Sequence, residues 1–231
     1  EPVLPLREWM LDTFKKALKF PNFEIKKLNF SGHGASFVHV DDSGEPVTPL
    51  YDYLKPFPED LLDRFYHENG GKMGFCQQTS SPPLAMLNSG LQIYFLKYSK
   101  PEQFKKIKHC LHLPQYLSLI FTGQMVSDYT SIGCHTGLWD FAKMDYHEWV
   151  KREGIEPLLP PILPGNSLLQ TKPELGSIPC GIGVHDSSGA LLPYLNQEKN
   201  PFVLLSTGTW AISINPFNKT ALTEAQLNQD C

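Results

Sequence analysis

Two loops near the C-terminal end carry the residue types needed to move a phosphoryl group. One is Gly183-Val184-His185-Asp186-Ser187-Ser188-Gly189-Ala190, with a carboxylate at the junction of an apolar strand and a helix. The other is Ser206-Thr207-Gly208-Thr209-Trp210, a small polar turn between the β-prone runs Phe202–Leu205 and Ala211–Ile214. A glycine in such a turn lets backbone N–H groups approach an anion, and three hydroxyls beside it add charge-assisted bonds worth about 1.5–3 kcal/mol each. A carboxylate held at a substrate hydroxyl accelerates proton removal by roughly 10²–10⁴-fold. The same Asp186 can also serve as a helix cap, which stabilises a helix by roughly 0.5–2 kcal/mol without any chemistry. The residues alone leave both roles open.

Three further segments have binding character. Ser31-Gly32-His33-Gly34 places a histidine between two glycines where one extended run ends, leaving the imidazole available to a hydroxyl. Tyr51-Asp52 and Ser127-Asp128-Tyr129-Thr130 offer carboxylates suited either to polyol binding or to turns and caps. Cys134-His135 with Cys110 and His112 lacks the short ligand loops of structural zinc. There is no P-loop, no G-x-G-x-x-G segment, and no G-x-S-x-G elbow around Ser187.

These residues need a scaffold, and the chain has the material for one. Its 231 residues are 41% apolar, enough for a large domain or a domain with part of another. Twenty basic and 24 acidic residues give a net charge of −4 without a basic stripe, which argues against nucleic acid. No apolar run reaches the roughly 18 residues of a membrane span, so we expect a soluble, cytoplasmic protein. The five cysteines are odd in number and widely spaced, which speaks against a disulfide framework.

Periodicity predicts helices over 6–20, 59–67, 90–98, 101–108, 114–121, 145–153 and 187–195. Strands are expected over 23–30, 36–40 and 178–184, followed by the hairpin and a fragment of helix at 223–227. Six prolines between 157 and 179 predict a long irregular connection.

With Ser31-Gly32-His33-Gly34, Pro49-Leu50-Tyr51-Asp52, Ser89 to Leu96, Leu119 to Gly123, Ser127 to Ser131, Gly183 to Ala190 and Ser206 to Trp210 in place, the chain resembles the FGGY carbohydrate kinases. The last two blocks are the most specific. The resemblance implies an α/β fold of two actin-like, ribonuclease-H-like domains around a cleft, the first with a helical insertion. Residues 1–197 would be a partial N-terminal sugar-binding domain and 198–231 the start of an ATP-binding domain. ATP with Mg²⁺ would phosphorylate the hydroxyl of a ketose or polyol. Asp186 resembles the catalytic base, and Thr207, Gly208 and Thr209 the second phosphate loop. His33, Asp52 and Asp186 would contact sugar, and no protein side chain is assigned to metal. The blocks lean toward rhamnulokinase and fuculokinase, and a homodimer is an assembly the resemblance allows.

Departures accompany the likeness. Gln92 and Phe95 stand where a lysine and a tryptophan are usual, and Tyr51 and Leu54 replace the usual tryptophan and arginine near Asp52. The family's first Asp-x-Gly-Thr phosphate loop has no counterpart, so the expectation is an internal fragment of a kinase about twice as long, inactive alone. The competing expectation is a non-catalytic sugar-binding or regulatory module of the same fold.

Overall fold

The computed structural model describes residues 3–207 and 211–229. Helix α1 (Leu4–Ala17) opens with Pro5 in its first turn, where a missing N–H costs nothing, and ends with Lys15 and Lys16 against the negative end of its dipole. The expected strand over 23–30 is not regular. Asn29 Oδ1 accepts from Phe30 N and Gly183 N, which breaks the ladder to one bridge at Leu28 before it resumes at β1 (Ser31–Gly32).

Strand β2 (Phe37–Val40) leads through an Asp41 turn to α2 (Glu59–Glu68), α3 (Lys72–Thr79), α4 (Ser89–Ser99) and the short α5 (Pro101–Phe104). Strand β3 (His109–His112) then feeds α6 (Leu113–Thr122), closed by Gly123 in the left-handed conformation at φ 73°. Strand β4 (Ser127–Asp128) precedes α7 (Tyr129–Ile132), followed by β5 (Trp139–Asp140), β6 (Asp145–Tyr146) and α8 (Glu148–Arg152). The proline-rich connection is threaded by the short strands β7 (Ile162–Leu163) and β8 (Leu168–Gln170). Then come β9 (Pro179–Gly181), β10 (Val184–His185) and α9 (Asp186–Gln197), and the hairpin β11 (Leu204–Thr207) and β12 (Ala211–Ile214). The terminal α10 (Glu224–Leu227) carries a capping box between Thr223 and Gln226.

Strand β2 is buried on both faces and pairs antiparallel with β3, Phe37 opposite His112 and Val40 opposite His109. Alternation along β2 divides the interior in two. Phe37 and Cys110 join a core built by α2, α3, α4 and α8 around Phe65, Tyr94 and Trp149. Val38, Val40 and Leu111 join a second core with Tyr116, Ile120 and Phe121 of α6, against which Leu6, Met10 and Phe14 of α1 pack. Trp149 is fully buried, and its indole Nε1 donates to Gly137 O at 2.7 Å. Truncating such a side chain costs about 3–5 kcal/mol. Leu227 of α10 is buried in the same core and Leu222 packs on it, which ties the chain's end to α3.

Strands β1 and β10 run parallel, Ser31 opposite Val184 and Gly32 opposite His185, and β4 runs parallel to β7. Among the described residues no helix is long and apolar enough to cross a membrane.

Candidate active site at the ends of two parallel strands

Parallel neighbours end at the same edge of a sheet, and in open α/β sheets the crevice beyond the carboxyl ends of the strands is where ligands bind. Directly past β1 lie His33 and Gly34, and directly past β10 lies Asp186. Two glycines make this approach possible. A Cβ on Gly34 would stand 2.4 Å from His185 Cδ2, so no larger residue fits without displacing that ring. At Gly183, φ is +87° and a Cβ would lie 2.4 Å from Pro114 O, so only glycine lets β10 bend past the start of α6.

Asp186 is the first residue of α9, and the cap is its neighbour: His185 Nδ1 accepts from Ser187 N at 3.2 Å. The Asp186 side chain keeps 52% of its surface exposed, with Oδ1 accepting from Ser187 N at 2.7 Å. The alternative in which Asp186 itself takes the cap position and closes the helix is therefore not what the chain adopts.

Behind Asp186 lies a buried polar lattice. Asp128, 1% exposed, accepts from Thr130 N and Ser131 N at 3.0 Å each, from Thr130 Oγ1 at 2.6 Å and from Gln115 Nε2 at 3.0 Å. Thr130 Oγ1 in turn accepts from His185 N at 2.9 Å, and Gln115 Nε2 also donates to Gly183 O at 3.1 Å. The backbone on both sides of Val184 is thus bonded to groups from α6 and α7. Asp128, a candidate polyol ligand by sequence, is instead the cap of α7.

Electrostatics at this junction favour neutral imidazoles. Burial holds His185 below the usual histidine range, partly offset by the carboxylates of Asp186 and Asp128. Burial also lowers His135, and it lowers His112 to about 3 with help from His185, His39 and His33. The Cys134 thiol is pushed up to about 12 by burial, with the charge of Asp186 adding to it, so it is no nucleophile.

The other sequence-predicted residues are spread more widely. His33 Nδ1 is buried without a hydrogen-bond partner, and its ring lies 6.0 Å from that of Tyr53. Asp52, next to Tyr53, is exposed, and its Oδ1 accepts from Leu54 N at 2.9 Å in a local turn. Thr207 is the last residue of β11, exposed and opposite Ala211, as the expected hairpin requires. Gly208 and Thr209 lie outside the described residues. The structure therefore gathers His33, His185 and Asp186, while no hydrogen bond among the described residues links Thr207 or Asp52 to them. A cavity of about 380 Å³ opens beside the hairpin, lined by Phe202, Val203, Asn215 and Phe217, and Asp186 is not part of its wall.

Of the departures noted in sequence, Gln92 has a defined task. It is fully buried, its Nε2 donates to Ala35 O and Met86 O at 2.7 Å each, and so it holds the His33–Ala35 loop from below. Phe95 and Tyr51 pack edge to face in the helical core at 6.2 Å. The supporting roles of Gln92, Gln115 and His185 were not expected from sequence. The one local signal for the α7 cap was Asp128 followed by Thr130 and Ser131.

Residues 6–192 match the model of the FGGY family of carbohydrate kinases, N-terminal domain, and the chain belongs to that family. It is 24% identical over 208 residues to a rhamnulokinase of Pectobacterium atrosepticum, covering 85% of this chain and 41% of that protein. A rhamnulokinase of Halalkalibacterium halodurans is 25% identical over 214 residues, covering 87% and 44%. The chain thus spans about two fifths of the length of these relatives. Among solved structures it superposes on a carbohydrate kinase from Novosphingobium aromaticivorans with TM-score 0.76 and 27% identity, covering 90% of this chain and 45% of that one. A xylulose kinase from Rhodospirillum rubrum gives TM-score 0.70 at 16% identity, covering 85% and 43%. The fold is the actin-like α/β fold of these kinases.

Proposed function

We propose that this chain supplies the sugar-binding half of an ATP-dependent kinase that phosphorylates a hydroxyl of a ketose or polyol, with Asp186 as general base. The observation that carries the reading is the position of Asp186: half-exposed at the carboxyl end of a parallel strand pair, beside His33, in a chain of the FGGY family. Asp186 takes the proton of the attacking hydroxyl as the oxygen approaches the γ-phosphorus of ATP. His33 and Asp52 bind sugar hydroxyls, and the buried, unpartnered Nδ1 of His33 supports its part. Thr207, Gly208 and Thr209 contact phosphate oxygens. Mg²⁺ enters with ATP, and we assign it no protein ligand. We place the domain boundary at 197/198, where α9 ends. The rhamnulokinase relatives make rhamnulose the first sugar to test.

The test is ADP release by the native protein containing this chain, across ketoses and polyols, with D186N alongside. D186N is expected to lose about 10²–10⁴-fold in turnover while sugar affinity by calorimetry stays within a few-fold. Near-normal turnover in D186N refutes the base assignment. Sugar binding without ADP release by the wild type favours a non-catalytic module instead.

A further inference from the structure

Ser187 N–H faces two acceptors at once: His185 Nδ1 at 3.2 Å and Asp186 Oδ1 at 2.7 Å, which are themselves 3.1 Å apart. One N–H cannot serve both fully, and two lone pairs at 3.1 Å repel unless a proton lies between them. The arrangement has two self-consistent states. With Nδ1 bare, the imidazole caps α9 and shares the N–H with the carboxylate. With Nδ1 protonated, the ring donates to Asp186 Oδ1, and Ser187 N–H falls to the carboxylate alone. In that second state the acid of Asp186 is tied down by two donors and is a poorer base.

The ring is not free to leave this position. Gly34 lies against its Cδ2 edge so closely that even a methyl group would overlap it, and Thr130 Oγ1 accepts from the backbone N–H of His185. We infer that His185 is a positioning residue for Asp186: the bare Nδ1 shares the cap of α9 and leaves the carboxylate available, and a proton on Nδ1 withdraws it. This rests on the reading of Asp186 as base. The charged and titratable groups facing the ring are Asp186 next to it at the start of α9, Asp128 before α7, His33 after β1, His112 at the end of β3 and His135 after α7. Burial outweighs the two carboxylates, so the ring is neutral at neutral pH and gains its second proton below the ordinary histidine range, and the Ser187 N–H directed at Nδ1 places the neutral ring's one proton on Nε2.

Ring-nitrogen NMR of the native protein reads the state without turnover. At about pH 7.5 His185 is expected as the Nε2–H tautomer, gaining its proton below about pH 6.5. An Nδ1–H tautomer at neutral pH overturns the inference. In the kinase assay, H185A is expected to lower kcat by about tenfold or more with the sugar KM within a few-fold, since misplacing a reacting group by about 1 Å costs up to about 10²-fold. H185N, whose Oδ1 can take the cap, is expected to restore most of that loss and to shift the acid limb of the wild-type pH profile. If H185N is no better than H185A, or retains the wild-type limb, the inference fails. A protein that phosphorylates no sugar refutes the function proposed above, whereas the tautomer still decides the ring's role.

Discussion

Removing the carboxylate of Asp128 tests whether the lattice behind Asp186 holds the site together. In D128A four donors lose their acceptor: Thr130 N, Ser131 N, Thr130 Oγ1 and Gln115 Nε2. Of these, Gln115 Nε2 keeps a second partner in Gly183 O, so three are orphaned. Loss of the cap alone is worth about 0.5–2 kcal/mol, and each buried donor left unmet about 1–3 kcal/mol. Against this stands the cost of holding a buried charge, which the alanine relieves. The balance is a destabilisation of about 3 kcal/mol, a large share of a domain's usual 5–15. Urea unfolding followed by the fluorescence of buried Trp149 measures it. T130V should cost about 1–2 kcal/mol through Asp128 Oδ2 and His185 N, and the double variant should cost less than the sum by about 1 kcal/mol, because the two share one bond. A loss below about 0.5 kcal/mol in D128A, or strict additivity with T130V, refutes the lattice as described.

Substituting Gly183 by alanine forces a Cβ to within 2.4 Å of a backbone oxygen at φ +87°, and we expect about 3 kcal/mol or more of destabilisation by thermal melting, with an unchanged Tm as the refuting result. Acid sensitivity follows from His39 and His112, both lowered to about 3 chiefly by burial. Between about pH 6.5 and 3 the unfolded chain binds these protons and the folded chain does not, so their contribution is intact above about pH 6.5 and lost as pH falls, by roughly 1.4 kcal/mol per pH unit for each. From about pH 7 to 5, where carboxylates stay ionised, the two together remove about 4 kcal/mol. H39Q should lower the slope by roughly 1.4 kcal/mol per pH unit in urea titrations, and an unchanged slope would contradict the assignment.

How much of this was legible in sequence depends on where each residue finds its partner. Helices α2, α4 and α6 carried their own apolar spacing, and Gly123 marked the end of α6. Helix α3 did not, because Lys-Met-Gly-Phe-Cys-Gln-Gln-Thr has no apolar stripe, and its Phe75 and Cys76 reach the core through tertiary packing alone. Strand β3, His-Cys-Leu-His, has no β-branched residue, and its pairing with β2 lies 71 residues back at His39 and Cys110. The segment 23–30 had strand composition, yet Asn29 diverts the ladder to a glycine 154 residues away.

The same division runs through the site. Asp186 was visible because a carboxylate between a strand and a helix is informative in one dimension. Its neighbour's role was hidden, since aspartate is the stronger N-cap by preference and histidine the weaker, and local propensity favours the wrong one of the two. What reverses that preference is distant. His185 N meets Thr130 at a separation of 55 residues, Gln115 meets Gly183 at 68, and Gln92 meets Ala35 at 57. The first two bonds hold the backbone on both sides of Val184, with the imidazole of His185 on the helix end and the carboxylate of Asp186 outside. The group with the chemistry is therefore announced by its type, and its availability is decided by ordinary polar side chains whose partners only the fold brings near.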